Sequence, residues 1–120
     1  MPAWQDNQAV DAAQLCSAWV HFNGTGTVSI YDSYNINSLT DLGTGWYRLH
    51  FENSLANTNY SVVGGSTYAD DNAGVQAGGI VSISRKVGAK NVAYVDIYVA
   101  AYNSSAQDHE FISVQIFGGV

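Results

Sequence analysis

Hydrophobic and polar residues alternate in short runs along most of the chain, from Ala18 to its C-terminal residues. A period of two is typical of β-strands with one buried face, and clusters of Gly, Asn, Asp and Ser between runs predict turns. The runs predict strands at 18–22, 27–34, 46–51, 60–68, 80–87, 92–102 and 111–117. About seven strands with hairpin-length connections favour an all-β fold, an antiparallel two-sheet β-sandwich, and leave a closed barrel as the alternative.

The run at 92–102 shows most clearly which side chains share a face. Aliphatic residues alternate there with Tyr94, Asp96 and Tyr98, which predicts an aliphatic core face and an outer face that displays tyrosines. The same period of two in the run 27–34 places Val28, Ile30 and Asp32 on one face.

Residues 1–17 differ from the rest of the chain. They contain no glycine, show no alternation and include the good helix formers of AVDAAQL. We therefore predict an N-terminal linker or short helical lead-in at 1–17 and one β domain at 18–120. The single cysteine, Cys16, falls in the lead-in; one cysteine excludes an intrachain disulfide, and we expect a small, half-buried apolar residue there.

The composition narrows the range of partners. Charged residues make up 12% of the chain, about half of the ~25% typical of globular domains, and aromatic residues also make up 12%. Low charge and many aromatic residues are typical of subunit interfaces. The net charge of −6 would repel phosphate backbones, so we expect no nucleic-acid partner. Because no apolar run approaches the ~20 residues of a membrane span, we also expect no membrane insertion.

Catalytic and metal-binding patterns are weak in this sequence. His21, His50 and His109 lack the short spacing of metal ligands, and surface or edge positions are expected for them. The Asp70-Asp71-Asn72 cluster has the oxygen ligands of a calcium site but not the spacing of an EF-hand loop, so a solvated turn is favoured. No G-x-S-x-G elbow is present. We therefore predict that the chain is not an enzyme and needs no metal or cofactor.

Binding residues are expected in the loops 69–79 and 103–110, which lie between predicted strands and are rich in turn-forming residues. The predicted ligand-binding residues are Tyr68, Asp70, Asp71, Asn72, Tyr102, Asn103 and His109. An aromatic platform for a sugar or a protein is a related hypothesis, since rings offer flat apolar faces with polar edges. Its members would be Trp46, Tyr68, Tyr94, Tyr98 and Tyr102, and packing of these rings in the core or between subunits is the alternative.

Three motifs lie between residues 18 and 60. They are A-W-V-x-F-N-G-T-G-T from Ala18, S-Y-N-[IV]-x-S-[IL]-T-D-x-G-T-G from Ser33, and F-x-x-x-[LM]-x-[DN]-x-N-Y from Phe51. Through them the chain resembles a module found near the C-terminus of bacteriophage tail-fibre and other virion structural proteins. The resemblance does not extend to the loops 69–79 and 103–110.

This resemblance implies a homotrimer on the exterior of a virion, in a tail fibre or another appendage. Its expected partners are other virion proteins and a glycan or protein of the host surface. A capsid decoration or virion joining protein without receptor binding is the alternative within the same class. A depolymerase of surface polysaccharide is a third hypothesis, from another class, although such enzymes usually need a larger grooved scaffold.

Overall fold

The structure, a computed structural model, describes residues 14–67, 78–101 and 105–120. In these ranges the backbone forms eight β-strands and no α-helix. The strands are β1 (Cys16–Asn23), β2 (Ser29–Tyr34), β3 (Ile36–Gly43), β4 (Trp46–Phe51), β5 (Tyr60–Thr67), β6 (Gly78–Ile83), β7 (Tyr94–Ala101) and β8 (Phe111–Gly118). They form one antiparallel sheet in the order β2-β1-β8-β5-β6-β7-β4-β3.

The sheet curls into a nearly closed, barrel-like shape with two joints. At one joint Asn35 alone separates β2 from β3; its φ of 56° is in the left-handed region, where Asn is among the best-tolerated residues. At the other joint β5 and β6 pair only through Ser66↔Gly79 and Thr67↔Gly78. These joints divide the sheet into two four-stranded parts, half A (β2-β1-β8-β5) and half B (β6-β7-β4-β3).

The core lies between the two halves, and strand alternation supplies it. The buried hydrophobic cluster consists of Ala18, Val20, Phe22, Ile36, Tyr47, Leu49, Phe51, Tyr60, Val95, Ile97, Val99, Ile112, Val114 and Ile116. Phe22 of half A packs edge-on against Tyr47 of half B at 5.2 Å between ring centroids. The Tyr47 hydroxyl lies 2.6 Å from Asp108 Oδ1, and its burial raises the pKa of Tyr47. Val95, Ile97 and Val99 all belong to the buried cluster, so the aliphatic core face predicted for the run 92–102 is confirmed.

The prediction of an antiparallel all-β domain is confirmed, but its arrangement differs from the expected seven-stranded sandwich. The described strands number eight and form one sheet. The strand without a predicted counterpart is β3, an edge strand in which only Ile36 is buried, so its sequence shows almost no alternation. The first strand begins at Cys16, two residues before the predicted boundary. Residues 1–13 of the predicted lead-in lie outside the described residues.

The predicted common face for Ile30 and Asp32 is wrong, because β2 contains a bulge. Phe22 pairs with Ile30 and His21 pairs with Asp32, so Tyr31 is an extra residue on its strand. A bulge changes which face the following residues occupy. Ile30 packs on the core and Asp32 is exposed.

Candidate functional site

A ladder of polar and aromatic side chains covers the outer face of half B. The adjacent strands β4 and β7 pair Trp46 with Tyr98, Arg48 with Asp96, and His50 with Tyr94. Their neighbours in sequence point into the core, so these six side chains point outward together. The predicted display of Tyr94 and Tyr98 on the outer face of this run is confirmed.

An ion pair fixes the middle of this ladder. Arg48 Nε lies 2.7 Å from Asp96 Oδ1, and Arg48 Nη2 lies 3.0 Å from Asp96 Oδ2, which is a bidentate contact. The hydrogen bond to Asp96 raises the pKa of the Arg48 guanidinium, whose Cζ also lies 3.9 Å from the centre of the Tyr94 ring. Asp96 is almost completely buried. Arg48 is therefore occupied as a structural partner of Asp96.

The connection between β6 and β7 holds two more cations beside the ladder. Ser84 N donates to Asp96 O, and Ala89 N donates to Lys86 O, which closes a turn over residues 86–89. Gly88 has a φ of 82°, close to the ~+80° that a type II turn needs at its third position, where glycine is favoured. The turn leaves Arg85, Lys86 and Val87 exposed.

An open pocket of about 470 Å³ lies between this connection and the strands. Its volume is in the range of roughly 300–1,000 Å³ that is usual for small-molecule sites. The lining residues are Thr44, Trp46, Ser82, Ile83, Ser84, Arg85, Lys86 and Tyr98. Lys86 Nζ lies 4.5 Å from the centre of the Trp46 ring. Trp46 Nε1 is buried and has no hydrogen-bond partner among the described residues.

The basic residues of the chain are concentrated around this face. Lys and Arg number four in total, and all of them belong to β4 or to the β6–β7 connection: Arg48, Arg85, Lys86 and Lys90. Lys90 Nζ turns away to donate to Tyr60 O at 2.7 Å. Within the described ranges neither Arg85 nor Lys86 forms an ion pair with an acidic side chain. The pocket therefore combines aromatic rings, hydroxyl groups and two cations that have no ion pair within the described ranges, in a chain of net charge −6.

Most of the predicted ligand-binding residues lie outside the described residues. They are Tyr68, Asp70, Asp71, Asn72, Tyr102 and Asn103. The aromatic-platform hypothesis named Trp46 and Tyr98, which do line the pocket. It missed Arg85 and Lys86, although adjacent basic residues occur nowhere else in the sequence and were a usable signal.

His109, the described member of the predicted set, is fully buried, so its expected surface or edge position is wrong. Its Nδ1 lies 2.8 Å from Ser66 Oγ and its Nε2 lies 3.0 Å from Gln107 Oε1. Burial lowers the pKa of His109, opposed by the nearby Asp108 carboxylate. Gly79, which pairs with Ser66 at the β5–β6 joint, lies so close that a Cβ added to it would stand 2.5 Å from His109 Cε1. The His109 ring therefore lies at the joint between the halves.

The outer face of half A has a different character. His21, Tyr31 and Phe111 form an aromatic cluster there, with 4.8 Å between the ring centroids of His21 and Tyr31 and 6.0 Å between those of Tyr31 and Phe111. Other large hydrophobic side chains exposed on this face are Tyr34, Val63 and Phe117. Asp32 is the one charged residue in the strands of this half.

Chemically, the half B pocket is suited to binding. In the described part of the chain no group of three or more His, Cys, Asp or Glu residues is placed to hold a metal ion. Nor does any helix in the described ranges have the length and apolar character to cross a membrane.

Comparison of the chain with family models, with curated proteins and with solved structures gave no match in any of the three.

Proposed function

We propose that this chain is a non-enzymatic structural module of a bacteriophage virion, of the tail-fibre type, that assembles as a trimer and binds the host surface. The observation that carries the binding role is the open pocket beside Trp46 and Tyr98. Its rings project from adjacent paired strands, so they are held in a fixed relation before a ligand arrives. Such preorganisation reduces the entropy lost on binding.

The outer face of half A supports the assembly part of the proposal. Fully buried interface cores are depleted in charge and rich in aromatic residues, and this face has both properties. Tyr31 is 48% exposed, Val63 51% and Phe117 36%, so each has apolar surface left to bury against another copy. A threefold arrangement through half A would leave the half B pocket facing outward.

Several residues of the motifs at 18–60 make turns of the fold. Asn35 Oδ1 accepts a hydrogen bond from Asn53 N at 2.8 Å. Asp41 Oδ1 accepts one from Gly43 N at 3.0 Å. A module that shared these motifs would therefore share the corner and the hairpin of this sheet, whereas most of the pocket residues lie beyond residue 60.

The proposal is tested with the full chain, in two measurements. Light scattering at micromolar concentration should give about 38 kDa, three times the 12.8 kDa of one chain. Fluorescently labelled chain should adhere to intact cells of at least one species in a panel of bacteria. Trp46→Ala should reduce this adhesion. Ile80→Ala, which lies on the same face but outside the pocket, should leave it unchanged. A single-chain mass would overturn the trimer, and absence of adhesion to every species would overturn the binding role.

A further inference from the structure

We propose that the half B pocket binds a sugar ring that carries an anionic substituent, with the ring against Trp46 and Tyr98 and the anion on Arg85 and Lys86. This inference rests on the proposed function, since it names the ligand class for the same site. A carboxylate and a phosphate are the two substituents that the cations would accept. The ligand class is assigned in three steps, one for each chemical part of the ligand.

The first step is the aromatic surface. Trp46 and Tyr98 are cross-strand neighbours and both line the pocket. The C–H groups of a sugar face are apolar and suit an aromatic ring, while the hydroxyl groups at the sugar's rim stay in water. Lys86 now lies over the Trp46 ring, but a cation–π contact at an exposed site contributes only about 0.5–1 kcal/mol. A ligand can therefore displace the ammonium group from the ring at little cost.

The second step is the charge. When Lys86 leaves the ring, its ammonium group can pair with an anion, and Arg85 beside it forms no ion pair in the described ranges. The remaining two cations are occupied: Arg48 by Asp96, and Lys90 by the Tyr60 carbonyl oxygen. On a chain with ten acidic residues, an anion is attracted to few places, and this pocket is where two adjacent cations are exposed.

The third step is the polar rim. Thr44, Ser82 and Ser84 place three hydroxyl groups around the pocket. Ser84 Oγ accepts a hydrogen bond from Lys86 N at 3.3 Å and keeps its own proton for an acceptor on the ligand. Trp46 Nε1 is a buried donor with no partner among the described residues, a state that costs about 1–3 kcal/mol. A sugar oxygen that reaches it after Lys86 moves would remove this penalty.

Other classes of ligand fit the site less well. A phosphate ion alone would use the cations but neither ring, and an extended nucleic acid would meet the acidic remainder of the surface. A neutral sugar would use the rings but leave Arg85 and Lys86 unpaired. The combination of both features in one pocket distinguishes an acidic sugar from each of these.

The test is a titration of the full chain with galacturonate, galactose 6-phosphate, methyl galactoside and inorganic phosphate, with the gluco series in parallel. Binding is followed by the indole N–H resonance of Trp46, which is assigned from its loss in Trp46→Phe. We expect one of the acidic sugars to bind at least about tenfold more tightly than the neutral sugar, which is equivalent to ~1.4 kcal/mol. The acidic sugar that binds more tightly identifies the anionic substituent. The inference would be overturned if the acidic and neutral sugars bound equally, if inorganic phosphate bound as tightly as the tighter acidic sugar, or if no sugar bound at millimolar concentration.

Matched variants separate local contacts from net charge. Lys86→Gln and Arg85→Gln should each weaken binding of the acidic sugar about five- to tenfold, and Lys90→Gln, which removes the same charge outside the pocket, by less than about twofold. An equal effect of Lys90→Gln would mean that overall charge, not the pocket, attracts the ligand. Adhesion to bacterial cells that persists when acidic and neutral sugars bind equally would refute the ligand class and leave the proposed function standing. Acidic-sugar binding without adhesion would refute only the host-surface role.

Discussion

The two halves of the sheet each contain four strands, but their outer faces differ in chemical character. Half B carries every basic residue of the chain, a bidentate ion pair and an open pocket. Half A presents rings and aliphatic side chains, and Asp32 is the one charged residue in its strands. In both halves the inner residues supply one shared core. Because strand alternation separates the two surfaces of a sheet, the outer faces are free to differ without changing the core.

The difference suggests a division of tasks between the halves. A face with fixed charges and a pocket suits recognition of a polar ligand, and a neutral aromatic face suits contact with an identical surface. Substitutions on one face, compared with matched positions on the other, test this division.

The largest effect is expected from Arg48→Met. This change leaves the Asp96 carboxylate, 5% exposed, without its cation, and we expect it to lower the free energy of unfolding by about 2–3 kcal/mol, less than for a fully buried pair because Arg48 is 33% exposed. Gln115→Met on the outer face of half A should change it by less than about 0.5 kcal/mol. Urea unfolding of both variants measures the contrast, and equal losses would show that the ion pair has no special role.

The next effect concerns assembly. Val63→Lys places a positive charge on the charge-poor face of half A and should weaken the trimer at least about tenfold, since interface cores are depleted in lysine. Ile80→Lys is the control on half B, where the original side chain is 49% exposed, close to the 51% of Val63. Light scattering over a dilution series should show dissociation for the first variant alone. Dissociation of both variants to the same extent would remove the distinction between the faces.

The joint between the halves should give a pH dependence. Because burial lowers the pKa of His109 below its ordinary value of 6.5, the unfolded state takes up a proton more readily than the folded state. Stability should therefore be constant from pH 8 to about 7 and decrease as the pH falls through 6.5. His109→Gln should flatten this part of the profile relative to that of the wild-type chain. Chemical unfolding at a series of pH values provides the measurement, and an unchanged slope in His109→Gln would contradict the assignment.

The smallest effect should come from Lys86→Gln. Among the described residues its ammonium group has only the Trp46 ring as a partner, and the residue is exposed, so the free energy of unfolding should change by less than about 0.5 kcal/mol. Thermal unfolding compared with the wild-type chain measures this. A large loss of stability would mean that Lys86 serves the fold and would weaken its assignment to a ligand.

The sequence predicted the fold where strands have one buried face. The run 46–51 was predicted with its exact bounds, because Tyr47, Leu49 and Phe51 alternate with polar or half-exposed neighbours. The pattern failed for β3, which lies at an edge and buries little, and for β2, where the bulge at Tyr31 has no sequence signature of its own. Only two residue pairs join β5 to β6, and periodicity does not show which strands pair, so it could not indicate one continuous sheet.

The candidate site was predictable only in part. Alternation placed Tyr98 on an outer face, and the aromatic hypothesis included Trp46, yet neither observation indicated that the two are paired across β4 and β7. The pocket also needs the turn at Lys86, which depends on the path of the β6–β7 connection. His109 was misplaced because a polar residue in a loop usually faces water, and the partners that satisfy it, Ser66 and Gln107, are recognised only after folding.

The position of β8 in the sheet also determines when the fold can be completed. β8 lies between β1 and β5, yet it follows both in the chain, and Ser17 bonds to Gly118 across 101 residues. During translation, hairpins such as β1–β2 and β3–β4 can form early, whereas one edge of β1 and one edge of β5 stay unpaired until residues 111–118 leave the ribosome. Unpaired edges are templates for pairing with other chains. On a polysome, neighbouring nascent copies would thus meet with open edges until β8 emerges from the ribosome and closes them.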